Sequence, residues 1–303
     1  MSSDPAATPE EARRGPAGRT VSDAPVDFLP AITGSFSSPA AGNPTGVMVE
    51  AAFAHHRIHA RYLNCEVAAP ELPAAVAGAW AMGWIGFNCS LPHKVAVLDQ
   101  LAGLAESAAI IGAVNCAVRT GSGFFGHNTD GIGFLHSLRG VIDPAGARVA
   151  LFGAGGAARA IAVELALAGA AELVVVNRDP VRGAELADLI NERTATTARF
   201  EPWTPAHRVP DTEVVVQATS VGLYPAVDAC PDIELATLRP GQVVADVVFN
   251  PVRTRFLQAA QQRGCVCVDG RGMLVNQAVE GIRLWTGVEV EAAVLAGALD
   301  RVL

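Results

Sequence analysis

The chain has 303 residues, enough for two domains with separate cores; half of its residues are hydrophobic and 17% are charged. Its formal net charge of -8 argues against nucleic acid and anionic membranes as main partners, and no apolar run reaches the roughly twenty residues of a membrane helix. The six cysteines are scattered and include no C-x-x-C pair, which predicts neither a zinc site nor disulfides. The N-terminal segment has no apolar stretch typical of a secretion signal, so we expect a cytoplasmic protein.

The first part of the chain predicts a polar tail followed by an α/β domain. Residues 1–27 contain almost no large apolar side chain and are expected to be disordered. Strand and helix patterns then alternate, which predicts a domain over residues 28–138. Its first elements are predicted as a strand at 29–33, a loop at 34–46, a helix at 47–56, a strand at 62–67, a helix at 72–82 and a strand at 84–87.

Three histidines lie together at the end of the first predicted helix. The spacing of His55 and His59, with His56 between them, could bind a metal ion. No carboxylate or cysteine lies nearby in the sequence, which favours a solvated helix end, so no metal site is predicted.

A polar loop ends at Lys94, the only lysine of the chain. Because arginine does not release its proton, an enzyme that moves a proton at a cationic side chain needs lysine. Asn115 and Asp130 interrupt the next apolar segments, and Asp130 stands at a helix start, where an aspartate is often only an N-cap. One cation, one carboxylate and one amide at strand ends of one domain suit a small polyhydroxylated substrate. A solvated loop lysine is the alternative.

Residues 148–178 carry the pattern of one βαβ unit. An apolar strand at 149–152 leads into the glycine turn G-A-G-G-A-A, and a helix at 157–167 leads to a second strand at 173–176. The turn permits close approach of a pyrophosphate, which the helix N-terminus would bind through free N–H groups. The unit predicts nucleotide binding, against the alternative of a glycine-rich turn in an empty α/β domain.

The later elements complete this second domain over residues 139–269. They are predicted as a helix at 186–193, strands at 213–217 and 243–248, a helix at 256–263 and a strand at 265–268. The segment 270–303 should form two helices, the first of which packs back on the first domain. The predicted fold class is α/β, with a substrate-binding domain, a Rossmann-type dinucleotide-binding domain and a ligand cleft between them.

Seven motifs, in order over about residues 28–290, resemble those of the shikimate dehydrogenase family. They are G-F-N-C-S-L-P-H-K from Gly86, G-A-V-N from Gly112, N-T-D-G from Asn128, G-A-G-G-A from Gly153, A-T-S-V-G-L-Y-P from Ala218, D-V-V-F-N-P from Asp246 and D-G-R-G-M-L-V-N-Q from Asp269. The resemblance implies an NADP-dependent oxidoreductase that interconverts 3-dehydroshikimate and shikimate, a step toward chorismate and the aromatic amino acids.

The resemblance also implies roles for individual residues. Lys94 and Asp130 would be catalytic, with Lys94 as the general acid/base at the reacting oxygen and Asp130 hydrogen-bonded to the same hydroxyl and to the lysine. The substrate would be bound by Asn43, Thr45, Ser90, Asn115, Phe249 and Gln277. The cofactor would be bound by Glu106, Gly153, Ala154, Gly155, Gly156, Ala157, Asn177, Arg178, Asp179, Arg182, Thr219, Val247, Gly270 and Met273. No metal would be required, and the protein would be a monomer or a homodimer.

The segment after the second strand bears on the choice of cofactor. A bare acidic residue there would bind the ribose hydroxyls of NAD, whereas an arginine would accept the 2′-phosphate of NADP. Arg178 and Arg182 match the family pattern for NADP, while Asp179 replaces a threonine and brings negative charge close to the phosphate. Two cations outweigh one anion, so we expect NADP, with NAD as the alternative.

The chain departs from the family pattern at the substrate. Asn43 and Thr45 stand where the family has two serines. Ser90 replaces a threonine, and Phe249 replaces a tyrosine and so lacks its hydroxyl. These changes leave open the alternative that the protein is a family member specialised for quinate or an aminoshikimate and that it uses NAD as the cofactor. A non-catalytic metabolite sensor is a further alternative, against which the intact lysine and aspartate argue.

Overall fold

The computed structural model describes residues 28–302, so the predicted tail at 1–27 lies outside the described residues. Two six-stranded sheets, each packed against helices, form two α/β domains, which confirms the predicted fold class. Within the described part of the chain, no helix combines the length and apolar character that crossing a membrane requires.

The first sheet has the strand order β2-β1-β3-β5-β6-β4. The elements of this domain are β1 (Ala31–Ser37), α1 (Thr45–His55), β2 (Ala60–Glu66), α2 (Leu72–Ala81), β3 (Gly86–Cys89), α3 (His93–Ala96), β4 (Gly103–Leu104), α4 (Glu106–Ile111), β5 (Cys116–Arg119), β6 (Phe124–His127) and α5 (Thr129–Arg139). β1 pairs in parallel with β2 and β3, whereas β5 is antiparallel to both β3 and β6. The first strand was predicted to end at residue 33, whereas β1 continues to Ser37. Its last residues include Ser35 and Ser37, which are polar and typical of loops in a sequence but are buried here.

The second sheet is parallel throughout, in the order β12-β11-β10-β7-β8-β9. Its elements are β7 (Arg148–Phe152), α6 (Gly156–Leu167), β8 (Glu172–Asn177), α7 (Pro180–Arg193), β9 (Thr197–Pro202), β10 (Val214–Gln217), β11 (Val243–Asp246), α8 (Arg255–Gln262) and β12 (Val266–Val268). The sequence pattern predicts no strand at the position of β9. β9 is an edge strand with several exposed or half-buried side chains, so its apolar pattern is weak.

Two C-terminal helices, α9 (Gly270–Thr286) and α10 (Ala292–Leu299), return to the first domain. Nε1 of Trp285 at the end of α9 donates to the carbonyl of Ala117 in β5 at 3.0 Å. Leu295 of α10 joins Met48 and Phe53 of α1 in one buried cluster. The last two helices therefore cover one face of the first sheet.

The histidines at the end of α1 have a partner that the sequence analysis missed. Glu291, just before α10, lies beside His55 and His56. The expectation that no carboxylate lies near these histidines is therefore wrong, because the two groups come from opposite ends of the chain and meet only in the folded protein.

α5 and α9 approach so closely that their contact requires glycine. A Cβ at Gly133 would lie 2.6 Å from the carbonyl oxygen of Met273 and 2.7 Å from the backbone nitrogen of Gln277. Gly133→Ala should therefore lower the free energy of unfolding by about 1–3 kcal/mol, the usual cost of overpacking. Urea denaturation measures the change. Gly297→Ala in α10 is the matched control, because nothing lies within 4 Å of its Cβ position. An equal effect of both variants would contradict the close contact.

Candidate active site

Lys94, Asn115 and Asp130 come together at one edge of the first sheet. Lys94 follows β3, Asn115 precedes β5, and Asp130 lies in the first turn of α5. Nζ of Lys94 donates to Oδ2 of Asp130 at 2.6 Å, and Nδ2 of Asn115 donates to Oδ1 of the same carboxylate at 2.8 Å. The side chains of Lys94 and Asp130 keep 31% and 19% of their surface exposed, so a small molecule can reach the pair.

Neighbouring amides hold the aspartate in place. Oδ1 of Asn115 accepts a hydrogen bond from the backbone N–H of Thr129 at 2.7 Å. Asn128 is the N-cap of α5, and its Oδ1 accepts from the backbone N–H of Asp130 at 3.2 Å. The capping role that an aspartate at a helix start often has therefore belongs to Asn128. Both carboxylate oxygens of Asp130 remain for Asn115 and Lys94.

A group of uncharged polar side chains lies on the neighbouring strands; we call Ser35, Tyr62, Asn64 and Asn88 the neutral shelf. Oγ of Ser35 donates to Oδ1 of Asn64 at 3.0 Å. The hydroxyl of Tyr62 donates to Oδ1 of Asn88 at 2.8 Å, and Nδ2 of Asn88 donates to the carbonyl of Asn115 at 2.9 Å. Burial raises the pKa of the Tyr62 phenol, which keeps it protonated. The shelf is thus an uncharged hydrogen-bonded network that is buried except at Asn64 and leads to Asn115.

The sequence analysis did not identify this shelf, although a signal exists. Thr33, Ser35 and Ser37 occupy alternate positions of β1 and are all buried, and Tyr62 and Asn64 alternate in the same way on β2. A strand places alternate residues on one face, so a polar face in a buried strand indicates a binding surface rather than core.

The predicted substrate residue Asn43 forms hydrogen bonds with residues of β1, α1 and β2. Its Nδ2 donates to Oγ of Ser35 at 3.3 Å, and its Oδ1 accepts from the backbone N–H of Thr45 at 3.0 Å. Nδ2 of Asn64 donates to the Asn43 carbonyl at 2.9 Å. Thr45 is itself 6% exposed in the first turn of α1. These residues shape the loop beside the neutral shelf, and their direct contact with a substrate stays a prediction.

The other predicted substrate residues come from three different elements. Ser90 is half-buried in the loop before α3, and Phe249 is half-buried in the loop after β11. Gln277 is 7% exposed on α9, and its Nε2 donates to the carbonyl of Leu274 at 3.0 Å. None of the contacts described for residues 28–302 joins Phe249 to Asp130, so its role also stays a prediction.

Asp246 anchors the loop that carries Phe249. Its carboxylate accepts hydrogen bonds from the Thr254 hydroxyl at 2.7 Å, from the Val248 backbone N–H at 3.0 Å and from Nε2 of Gln217 at 3.2 Å. Burial raises the pKa of Asp246 to about 6, although these hydrogen bonds favour the charged form. The position of Phe249 therefore follows from a buried network at the end of the second sheet.

The glycine turn between β7 and α6 has the shape that a pyrophosphate requires. Gly153 has a φ of 118°, and a Cβ there would lie 3.0 Å from the carbonyl oxygen of Ala218. Nothing lies within 4 Å of a Cβ position at Gly155 or Gly156. Gly155 is the N-cap of α6 and has no capping side chain, so the first N–H groups of the helix can bind an anion. The turn fits the diphosphate of a dinucleotide.

Other predicted cofactor residues lie around this turn. The Cγ2 atom of Thr219 lies 3.0 Å from the Cβ position of Gly153. Val247 and Met273 pack against the hydrophobic core that includes β7 and α6. Glu106, by contrast, is exposed at the start of α4, and no contact described for residues 28–302 joins it to the turn.

The end of β8 presents a cation next to an aromatic ring. The Arg178 guanidinium lies 5.9 Å from the centre of the Trp203 ring, and both line a surface cavity with Val221. Oδ1 of Asp179 accepts from the first N–H groups of α7, at 3.0 and 3.3 Å, and its Oδ2 lies 3.6 Å from Nε of Arg182. Asp179 is therefore occupied as a helix cap, whereas Arg178 forms no ion pair with any residue that the structure describes.

α6 joins the nucleotide turn to the catalytic residues. A Cβ at Gly131, directly after Asp130, would collide with the carbonyl of Ala160 in α6. Nε of Arg159 in α6 donates to the carbonyl of Ile111, just before the G-A-V-N segment. The helix that begins at the nucleotide turn thus packs directly on the segments that carry Asp130 and Asn115. A hydrogen-bonded lysine–aspartate pair on a segment packed against the helix of a dinucleotide turn is the arrangement of a two-domain, nucleotide-dependent oxidoreductase.

Comparison with known proteins defines the family within that class. Three family models match, described as the shikimate dehydrogenase substrate binding domain (residues 37–117), shikimate / quinate 5-dehydrogenase (139–224) and the shikimate 5'-dehydrogenase C-terminal domain (270–299). The shikimate dehydrogenase (NADP(+)) of Moorella thermoacetica is 41% identical over 261 residues, which is 85% of this chain and 87% of the relative. The chain belongs to the shikimate dehydrogenase family, as its motifs predict.

Solved structures agree on the fold and differ in substrate. A ligand-free 5-ketofructose reductase of Gluconobacter sp. strain CHM43 matches with a TM-score of 0.89 and 52% identity, over 91% of this chain and all of that one. Shikimate 5-dehydrogenase from Listeria monocytogenes, in complex with shikimate and NAD, matches with a TM-score of 0.85 and 29% identity, over 90% of this chain and 98% of that one.

Replacement of Lys94 tests the catalytic pair. Lys94→Ala should lower turnover by roughly 100- to 10,000-fold, the usual contribution of a general acid or base. Binding of NADPH, measured by fluorescence titration, should stay near the wild-type value. Lys94→Arg is the matched control, because it keeps the charge but cannot release the proton, and it should be equally impaired. Near-normal turnover in either variant would remove Lys94 from the proton transfer.

Replacement of Arg178 tests the recognition of the cofactor. A charge-assisted hydrogen bond to the 2′-phosphate contributes roughly 1.5–3 kcal/mol, so Arg178→Ala should raise the KM for NADPH by about ten- to a hundredfold and leave that for NADH nearly unchanged. Arg193→Ala, an exposed arginine at the end of α7, is the control. Equal effects of Arg178→Ala on both cofactors would show that this arginine does not contact the phosphate.

Proposed function

We propose that this protein is an NADP-dependent oxidoreductase that interconverts a ketone and a secondary alcohol on a small polyhydroxylated substrate, with 3-dehydroshikimate and shikimate as the first pair. The observation that carries this proposal is the direct packing of α6, which begins at the dinucleotide turn, on the segments that carry Asp130 and Asn115. The curated relatives named shikimate dehydrogenase (NADP(+)) support the substrate pair and the cofactor.

The bound cofactor supplies the hydride, and the protein supplies orientation and the proton. In the direction of reduction, the Lys94 ammonium donates a proton to the substrate oxygen as that oxygen becomes a hydroxyl. Asp130 accepts a hydrogen bond from Lys94 and can accept one from the new hydroxyl. Asn115 keeps the Asp130 carboxylate in position through its Nδ2 hydrogen bond. In the direction of oxidation, the same groups remove the hydroxyl proton.

A second substrate candidate rests on two observations. The chain is 52% identical to the 5-ketofructose reductase and 29% identical to the shikimate-bound enzyme of Listeria. The exposed member of the neutral shelf is an uncharged amide, Asn64, and Phe249 cannot donate a hydrogen bond to a carboxylate. Both observations favour an uncharged keto sugar, so we propose 5-ketofructose as the second candidate. Quinate and an aminoshikimate belong in the same substrate panel.

The cellular setting follows from the thiols. All six cysteines are unpaired, and burial raises the pKa of Cys89 to about 12 and that of Cys116 well above the ordinary value. Protonated thiols without disulfides suit a reducing compartment, so we propose that the protein works in the cytoplasm.

A substrate panel with both cofactors tests this proposal. The purified protein should reduce 3-dehydroshikimate and 5-ketofructose with NADPH in preference to NADH, and kcat/KM ranks the two substrates. If shikimate is a substrate, it should show a high KM. Phe249→Tyr should lower that KM about two- to tenfold, because the added hydroxyl can form one hydrogen bond, which contributes roughly 0.5–1.5 kcal/mol to binding.

The outcomes separate the candidates. Phe249→Leu, which removes the ring without adding a hydroxyl, should not improve the KM for shikimate. Turnover of 5-ketofructose with shikimate inert would replace the first candidate by the second. No turnover of any member of the panel, together with tight binding of one of them, would favour a metabolite sensor and contradict the enzymatic proposal.

A further inference from the structure

The cluster of His55, His56 and Glu291 lies away from the catalytic residues. His55 and His56 end α1, and Glu291 precedes α10. The catalytic residues lie near the carboxyl ends of β1 and β3, whereas β2 begins a few residues beyond His56. The cluster is thus at the opposite end of the parallel strands and takes no part in the proposed reaction.

The three side chains converge on one point. Nε2 of His56 lies 2.6 Å from Oε2 of Glu291, and Nε2 of His55 lies 4.0 Å from the same oxygen. The centres of the two imidazole rings are 5.0 Å apart, and the ring planes meet at 71°. All three potential ligand atoms lie within 4.8 Å of one another.

Within residues 28–302, His56 has a single polar neighbour at its Nε2 atom, the Glu291 carboxylate. Its Nε2 atom is shielded from solvent and makes no hydrogen bond of acceptable geometry among the described residues, although Glu291 is close. Glu291 has no capping hydrogen bond at the start of α10. A shielded imidazole nitrogen whose one polar neighbour is a carboxylate can either form an ion pair with it or share a metal ion with it, and a second imidazole nitrogen lies 4.0 Å from the same oxygen.

We propose that His55, His56 and Glu291 bind a divalent transition-metal ion, with Zn²⁺ as the best fit. Two imidazole nitrogens and one carboxylate oxygen are a ligand set that zinc prefers, and water completes the tetrahedron. The cluster carries one negative charge when both histidines are neutral, and the C-terminal end of α1 adds negative potential. Magnesium and calcium prefer oxygen ligands and should bind poorly.

The ion would fasten α10 to α1. These helices already share the buried cluster of Met48, Phe53 and Leu295, and the metal would add a link at the surface edge of that contact. Because only the folded chain brings Glu291 to the histidines, binding should stabilise the folded state. The expected effect is on thermal unfolding and not on turnover.

The test uses the full chain, without an affinity tag, after dialysis against a chelator. Calorimetric titration with Zn²⁺ should show one strong site per chain, and thermal unfolding with Zn²⁺ should show a higher Tm. His56→Ala and Glu291→Gln should each weaken Zn²⁺ binding at least tenfold and abolish the Tm shift. His59→Ala removes an exposed neighbouring histidine outside the cluster and should change neither. Circular dichroism checks that each variant is folded.

Co²⁺ separates this site from the cysteines. Cobalt bound by nitrogen and oxygen shows ligand-field absorption in the visible without a thiolate charge-transfer band. A thiolate band, or unchanged Zn²⁺ affinity in Glu291→Gln, would place the ion elsewhere and overturn the proposal. Absence of strong Zn²⁺ binding to the wild type would also overturn it and would leave a histidine–carboxylate ion pair.

Discussion

The carboxylate of Asp130 is the point on which the geometry of the site depends. One of its oxygens accepts from Lys94 and the other from Asn115, while Asn128 takes over the capping of α5. A cation and a carboxylate at 2.6 Å form a stable pair only if both are fixed, since flexible side chains lose much of the gain to entropy. Asn115 fixes the carboxylate because its own oxygen is held by the backbone of Thr129.

Two glycines that follow Asp130 in α5 also determine how closely the two domains pack. Gly131 and Gly133 allow α5 to pack against α6 on one side and against α9 on the other. α6 begins at the nucleotide turn, and α9 carries Met273 and Gln277 from the second domain to the first. The nucleotide turn and the Lys94–Asp130 pair are therefore positioned relative to each other by close backbone contacts of α5 with α6 and α9.

Sequence reasoning recovered the parts of the site that consist of local patterns. The glycine turn, Lys94 and Asp130 stand out in the sequence because each follows a strand and breaks an apolar segment. The neutral shelf was missed although alternating polar residues on β1 indicate it, whereas the Arg178–Trp203 pair and the Glu291–His56 contact join separate elements and have no local signature. The role of Asp179 also depended on the structure, since an aspartate after a strand can bind a ribose or cap the next helix.

The central claim is that Lys94 and Asp130 act together on one substrate oxygen beside the dinucleotide turn. A crystal structure of the protein with NADP⁺ and its best alcohol substrate tests this most directly. The account predicts the reacting hydroxyl oxygen within about 2.6–3.2 Å of both Nζ of Lys94 and a carboxylate oxygen of Asp130, with Asn115 still bound to that carboxylate. A reacting hydroxyl held by other side chains, with the Lys94–Asp130 pair unchanged and remote from it, would contradict the account.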